Sequence, residues 1–459
     1  MHKIAVCLLI SLAIVTSNTH ADDDAGEVAY KKKDYATAIK EWELLASKGN
    51  TSAQYSLGFM YREGLGVQKN NAEAIKWYSM VAAKGIAVAE FNVGYLYLDD
   101  SDYAKALKWF RKAAAQGEPN AQFDLGWMYE KGKGVPQSHN EALKWYRLAA
   151  DKGDARAQYN LGVMYENGRG ATQDSKEALK WYHLAAEQGD SGAQYNLGFR
   201  YFNGKDVPQN FEEALKWFRL DADQGDAKAQ YNLGLMYEVG RGAPQDSKEA
   251  LKWYRLAADQ GHAQAQYALM GLYMSMDFLN YSEAVKWTRK AADQGLADAQ
   301  ISMGRFYSLG IVLPKDYSEA LNWFHKAADQ GNVQAYIDIG GIYQYGFGVP
   351  KDFKEAVKWY RLAANMDDSN AQNILSRMYE NGTGVPVSRV VAYALKDLSV
   401  IRTPQKYLVL ANETRNESEK LLGSMDSQEI LEAKALAQEI AKPHNLLNAL
   451  DEYARKHSN

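Results

Sequence analysis

Apolar positions along most of this chain recur with the period of an α-helix, and the whole pattern comes back after about 36 residues. In 155–168, Ala157, Leu161, Met164 and Tyr165 share one face; in 175–187, Ala178, Trp181, Tyr182 and Ala185 fall at i, i+3, i+4 and i+7. Each run is the stripe of an amphipathic helix. Between them Asn167-Gly168-Arg169-Gly170 carries no stripe, and glycine readily takes the left-handed conformation that ends a helix. Gln188-Gly189-Asp190 closes the second helix and opens the next pair, with Asp190 as N-cap. Glu177 lies in the first turn of its helix, where a carboxylate suits the helix dipole. The predicted unit is a helical hairpin, helix A followed by helix B.

The unit returns almost letter for letter. AQYNLG occurs at 157–162, 193–198 and 229–234, EALKWY at 141–146, 177–182 and 249–254, and EALKWF at 213–218. One such hairpin cannot bury its apolar face alone, so the copies must stack into a solenoid. In helix A a Leu-Gly pair or its equivalent falls at Leu57-Gly58, Val93-Gly94, Leu125-Gly126, Leu161-Gly162, Leu197-Gly198, Leu233-Gly234, Met270-Gly271, Met303-Gly304, Ile339-Gly340 and, degenerate, Leu375-Ser376. In helix B a tryptophan falls at Trp77, Trp109, Trp145, Trp181, Trp217, Trp253, Trp287, Trp323 and Trp359, with Trp42 in an opening half-repeat and Leu395 in the same slot at the end. A glycine inside a helix costs roughly 1 kcal/mol against alanine. Its recurrence is explained if helix B crosses so closely that a Cβ has no room. The recurring tryptophans read as core, since each brings ~150–250 Å² to bury. The spacing breaks twice. It is 32 residues from Gly94 to Gly126, where Asp99-Asp100-Ser101-Asp102 replaces the glycine loop, and 37 then 33 around Ser275-Met276-Asp277-Phe278. Both breaks are expected to alter loops and leave the stack intact.

The ends differ from the middle, as solenoid caps must. Residues 1–21 read as a secretory signal peptide: Lys3, an apolar run from Ile4 to Val15, and a small residue at a cut near Ala21. The run is too short to span a bilayer, and the alternative is an N-terminal membrane anchor. Residues 22–49 read as an N-terminal capping helical hairpin, 50–401 as the solenoid, and 402–459, polar and rich in Glu, Gln and Lys, as a C-terminal helical cap. The single cysteine, Cys7, lies inside the apolar run, so the exported chain has no thiol and relies on packing. The location implied is the bacterial periplasm or the medium.

Lys and Arg number 53 against 57 Asp and Glu, interspersed throughout, so there is no basic stripe for nucleic acid. No later segment is apolar enough to insert in a membrane. The sequence has no H-E-x-x-H, G-x-S-x-G or S-x-x-K, and the stretch from Gly198 to Gly204-Lys205 misses a phosphate loop by one residue. The histidines lack metal-ligand spacing; His183 and His325 take the slot of Arg147 and Arg255 and are expected to face solvent. Adjacent carboxylates such as Glu212-Glu213 point apart on a helix. No catalytic residue, cofactor or metal site is predicted.

The pattern A-x-x-x-L-G-x-x-Y-x-x-G-x-G-V-x-x-D-x-x-E-A-x-K-W-Y-x-x-A-A-x-x-G, nearly whole in 121–153, resembles the Sel-one-like repeat family, a relative of the tetratricopeptide repeat, over roughly 25–395. The resemblance implies an all-α, right-handed α-solenoid of about ten repeats that acts as a non-catalytic scaffold for a protein or peptide partner. Exported bacterial members of the family include a secretory-immunoglobulin-A-binding protein and others tied to host-cell entry or polysaccharide export. A cysteine-rich branch is linked to penicillin binding, but this chain lacks those cysteines. The readings carried forward are thus a partner-binding scaffold, an envelope or polysaccharide-export assembly scaffold, and, disfavoured, a β-lactam or cell-wall hydrolase.

In stacks of this kind three helix-A slots line the concave groove. The residue after the Leu-Gly pair reads Phe59, Tyr95, Trp127, Val163, Phe199, Leu235, Leu272, Arg305, Gly341 and Arg377. Three positions on come Glu166, Phe202, Glu238 and Ser275, and two before the Leu stand Tyr159, Tyr195 and Tyr231. The groove should therefore be aromatic in its N-terminal half and more polar beyond. Exposed aromatics rimmed by charge are typical hot spots; the alternative is that these rings pack between adjacent A helices. Trp127 is the leading candidate, because its repeat already has a core tryptophan in Trp145.

Overall fold

A computed structural model describes residues 25–457 of the chain, which form 25 α-helices and one 3₁₀ turn, with no strand among the described residues. The expected signal peptide at 1–21, with Cys7, lies outside the described residues. Two compact units are present. One comprises the described residues up to Ala229 together with Arg241–Pro244; the other comprises Gln230–Gly240 and Gln245 onward. The first opens with two helices, Ala25–Lys31 and Tyr35–Ser47, and continues as A–B hairpins such as Ala155–Asn167 with Ser175–Glu187. The second carries hairpins through Ser369–Asn381 with Arg389–Arg402, then the helices Leu408–Gly423, Ser427–Ile440 and Leu446–Lys456.

Local signals act as anticipated. Gly168 ends its helix A in the left-handed conformation at φ 64°, and the Asp190 carboxylate accepts from the Ala193 N–H at 2.8 Å. In the short loop Ser101 takes a positive φ of 59° in place of glycine, and Asp102 caps the next helix.

Eight of the ten hairpins are closed by a glycine of helix A against a ring of helix B. A Cβ on Gly162 would lie 2.6 Å from the Tyr182 ring; the same holds for Gly58 on Tyr78, Gly94 on Phe110, Gly126 on Tyr146, Gly198 on Phe218, Gly234 on Tyr254, Gly304 on Phe324 and Gly340 on Tyr360, at 2.4–2.8 Å. At four of the tyrosine rings helix A offers an acceptor one turn on; Tyr78, beside Arg62, is the exception, its hydroxyl buried without a hydrogen-bond partner. Tyr146 donates to Glu130 at 2.8 Å, Tyr182 to Glu166 at 2.8 Å, Tyr254 to Glu238 at 2.6 Å and Tyr360 to Gln344 at 2.6 Å. The ring is phenylalanine where that position holds Leu98, Phe202 or Ser308.

Two hairpins depart, and each compensates. In 263–296 the register is Leu269-Met270, one residue earlier than the expected Met270-Gly271: Leu269 is the fully buried residue, and Gly271 has open space around it. The spacing from Gly234 is then 36 and the irregularity of 37 disappears, along with Leu272 and Ser275 as groove slots. The larger Met270 is matched by the smaller Thr288 in the ring position, whose hydroxyl donates to Ala284 O at 2.7 Å. In the last hairpin Ser376 replaces the glycine, and Lys396 replaces the ring; the buried ammonium pairs with Glu380 at 2.6 Å and Glu417 at 3.1 Å.

Adjacent repeats are tied by two further residues. Trp181 joins a cluster with Ala142, Tyr146 and Leu161, reaching back to the preceding helix B, while Tyr182 closes its own hairpin. Trp42, Trp181, Trp217, Trp253, Trp287 and Trp323 are buried; Trp77, Trp109, Trp145 and Trp359 are only half-buried, because the tryptophan reaches outward between repeats and the neighbouring ring holds the interior. The glutamine of A-Q-Y, unremarked in the sequence, is a buried relay. Gln158 Nε2 donates to Ala150 O at 3.2 Å, and its Oε1 accepts from Gln188 at 2.7 Å, so three successive helices share one side chain. The same arrangement recurs at Gln194 and Gln300. His183 and His325 do not face solvent freely; each packs edge-on against the next repeat's tryptophan, Trp217 and Trp359, at 5.7 and 5.3 Å.

One buried carboxylate breaks the pattern. Seven repeats place a fully buried alanine (Ala113, Ala149, Ala185, Ala257, Ala291, Ala327, Ala363) where the chain has Asp221. Ser191 donates to Asp221 Oδ1 at 2.5 Å, while Oδ2 is buried without a partner. Desolvation, aided by the Asp226 and Asp190 charges, pushes this carboxyl up to about 6 from 3.8. The folded state then holds the proton more tightly than the unfolded chain, so the ionised group destabilises the fold above pH 6 and that penalty fades as pH falls toward 4. It amounts to on the order of 3 kcal/mol.

Two outcomes follow from these contacts. Asp221→Ala should raise the melting temperature at pH 7.5 and flatten its rise on acidification; thermal melts from pH 4 to 8 test this, and a parent-like pH profile would place Asp221 in water. Gly162→Ala, despite its better helix propensity, should destabilise by about 1–3 kcal/mol through overpacking against the buried Tyr182 ring, measured by urea unfolding.

Candidate helix-A binding face

The residues expected to form an aromatic stripe are distributed differently. In the first unit Tyr95 and Phe199 project into solvent, at 44% and 48% exposure. Phe59 is instead buried in the N-terminal core beside Tyr55, with the Arg62 guanidinium over its ring at 5.4 Å. Trp127 is half-buried and packs against two successive core clusters. Tyr159 and Tyr195 are half-buried, 5.9 and 5.8 Å from the Tyr182 and Phe218 rings of their own hairpins. Phe202 lies edge-on to Phe211 at 5.6 Å, with Arg241 over both rings. Of the second unit, Tyr231 stacks on His262 at 4.9 Å and lies 5.7 Å from Tyr254.

Both candidate glutamates are engaged inside the fold. Glu238 accepts from Tyr254, and Glu166 accepts from Tyr182 and pairs with Arg200 at 2.6 Å and Lys205 at 2.9 Å. Arg200 is a buried cation in a slot that holds methionine in the neighbouring repeats; Asp206 at 2.5 Å completes its neutralisation. The Tyr182 hydrogen bond and these cations hold the Glu166 carboxyl below its ordinary range against the opposing effect of burial, which is the largest single contribution. A partner would have to compete with those contacts.

An opening on this face lies in the second unit, where the expectation was only of greater polarity. A cavity of about 540 Å³ is lined by residues of three successive A helices, Ala297–Leu309, Val333–Tyr345 and Ser369–Asn381. Gly341 lies in its lining, with Ile337, Ile374 and Met378 as apolar walls. Phe347 stacks with Tyr317 and Tyr345, at 5.3 and 5.5 Å, beside it and is itself exposed. Arg305 and Arg377 occupy the same slot in the flanking repeats. Arg305 is neutralised by Asp338, through Nε at 3.1 Å and a terminal nitrogen at 3.4 Å. The readable signal was a glycine where four other repeats carry Phe, Tyr or Trp. Its meaning depends on packing: Gly340 is held to glycine by the Tyr360 ring at 2.8 Å, whereas a Cβ on Gly341 would meet only the Tyr360 hydroxyl at 3.8 Å.

Apolar walls, ring surfaces and guanidinium donors suit this face to binding. Among the described residues no group of three or more His, Cys, Asp or Glu side chains could hold a metal ion, and no helix is long and apolar enough to cross a membrane. An all-α stack with such a face defines a repeat scaffold. The chain belongs to the Sel1 repeat family, whose profile matches residues 51–86, 87–118, 119–154, 155–190, 191–226, 227–262, 263–296, 297–332, 333–368 and 369–395. Sel1-repeat proteins generally serve as protein-interaction scaffolds. The chain is similar to c5321, a protective antigen present in uropathogenic Escherichia coli strains that displays an SLR fold: 32% identity, 92% of this chain and 90% of that one covered, TM-score 0.78. It is also similar to a Sel1 repeat protein from Oxalobacter formigenes, at 28% identity over 80% of this chain and 99% of that one, TM-score 0.50. No curated protein matches it.

The two adjacent glycines give a direct test of what packing demands. Gly340→Ala should destabilise by about 1–3 kcal/mol, as overpacking does. Gly341→Ala should stabilise by up to ~1 kcal/mol through helix propensity alone. Parallel urea titrations check both; equal losses would mean that Gly341 too is required by packing.

Proposed function

We propose that this chain is an exported, non-catalytic scaffold that binds a protein or peptide partner on its helix-A face. The observation carrying this reading is the unbroken run of Sel1 repeats over 51–395, combined with a cavity on that face which the chain leaves unfilled at Gly341. Export is supported by the sequence of 1–21 and by the similarity to a protein described as a protective antigen, since antibodies act on what they can reach. The resemblance to secretory-immunoglobulin-A-binding members makes that immunoglobulin the first bait to try, and a host-derived partner the favoured class.

The test uses the full chain without its leader as an immobilised bait, against purified secretory immunoglobulin A, host secretions and bacterial envelope extract. A protein retained from the host samples supports the reading. Retention from envelope extract alone favours an envelope-assembly scaffold, and retention from neither overturns the scaffold reading. Nitrocefin turnover by the purified protein would overturn the non-catalytic assignment. Tyr95→Ala and Phe199→Ala should leave the melting temperature nearly unchanged, both rings being exposed, and should weaken a partner bound in the first unit severalfold. Trp127→Ala should also cost ~1–2 kcal/mol of stability, because its ring is partly packed, so its binding effect must be read against its melt.

A further inference from the structure

We propose that the cavity at Gly341 is a docking pocket for a bulky apolar side chain of a partner peptide that carries an acidic residue beside it, with the acid meeting Arg377. The inference rests on the scaffold reading and narrows it to one place and one chemistry.

Three observations carry it. The first is Gly341 itself. A glycine in a helix interior is unfavourable by roughly 1 kcal/mol; at eight helix-A positions of this chain a crossing ring explains it, whereas Gly271, in the same slot of 263–296, has open space around it as Gly341 does. At Gly341 no ring does, and the slot filled by Phe59, Trp127 or Leu235 in other repeats stands open onto a cavity of about 540 Å³. That is room for at least one large side chain.

The second is the character of the walls. Ile337, Ile374 and Met378 are aliphatic, and Tyr345 beside them is 62% exposed. Burial of an apolar side chain against such surfaces is favourable in proportion to the area covered. The aliphatic part of the lining suits an apolar peptide side chain.

The third is charge. Of the two arginines, Arg305 is satisfied by Asp338. Arg377 is 60% exposed and reaches only Glu417, at 3.9 Å, while Glu417 is itself held by the buried Lys396 at 3.1 Å. The rim so keeps a guanidinium with incomplete compensation, which an incoming carboxylate can engage in a two-pronged hydrogen bond.

Fluorescence anisotropy of the full chain with fluorescein-labelled Gly/Ser octapeptides tests the proposal, the central residues being Glu-Phe-Glu, Lys-Phe-Lys or Glu-Ala-Glu. The Glu-Phe-Glu probe should bind at least about tenfold more tightly than either control, with an affinity that falls as salt rises. Gly341→Leu, whose side chain enters open space, should fold like the parent and weaken that probe about tenfold or more. Arg377→Gln should weaken it severalfold and erase its preference over Lys-Phe-Lys. Equal binding of the three probes, or unchanged binding by a parent-like Gly341→Leu, overturns the pocket. If that variant misfolds, the Arg377→Gln comparison decides. Chitotetraose binding that displaces no peptide and is lost in Gly341→Leu would assign the cavity to a glycan and overturn the proposal. A partner from the bait experiment that is retained equally by Gly341→Leu leaves the scaffold reading standing and removes only this pocket; a parent that retains no partner removes the scaffold reading.

Discussion

The contact on which each repeat depends is a glycine of helix A pressed against an aromatic ring of helix B. At the observed approach there is no space for even one carbon between backbone and ring. The glycine is unfavourable for the helix by itself, and close packing offsets that, because two helices that approach so nearly bury a whole ring face. The contact also sets what lies next to it. One turn along helix A, the residue facing the ring edge follows it in seven of the eight hairpins: Glu130, Glu166, Glu238 and Gln344 accompany tyrosines and Leu98, Phe202 and Ser308 accompany phenylalanines, while Arg62 stands beside Tyr78. Where the glycine is lost, the partner changes with it: Met270 faces a threonine position and Ser376 a lysine.

Between repeats the coupling is local. Buried glutamines pass hydrogen bonds from one helix B to the next through the intervening helix A, and tryptophans lean back onto the preceding repeat. Such nearest-neighbour ties are what lets a solenoid tolerate exceptions. Asp221 is one, a carboxylate where seven other repeats hold alanine, and Arg200 is another, a buried cation neutralised by Glu166 and Asp206. Each leaves its own hairpin's glycine–ring contact intact, at Gly198 and Phe218.

With the packing positions accounted for, the residues left over become meaningful. Most rings of the helix-A face turn out to support neighbouring hairpins, as Tyr159 and Tyr231 do. Gly341 is the opposite case: a residue that packing does not require, at the edge of an opening on that face. Family membership supplies the class of function, an interaction scaffold, and the local chemistry around this opening supplies a reason to look there for the partner.

Much of this was legible in the chain alone. Periodicity and the 36-residue return set the all-helical hairpins, their caps and their stacking, because those depend on local pattern and on neighbours at fixed sequence distance. The close glycine crossing could be inferred from the cost of an otherwise unhelpful residue. The register of 263–296 could not, since two adjacent positions offered equally good letters and only burial of Leu269 chose between them. Nor could the fate of each aromatic side chain: Phe59 and Phe199 share one slot and differ in exposure because the ring's surroundings are made by residues of other hairpins. The distinction between Gly340 and Gly341 is of the same kind. Side by side in the sequence they are identical, and what separates them is that one has Tyr360's ring above it and the other has empty space, a difference that exists only once the helices have met.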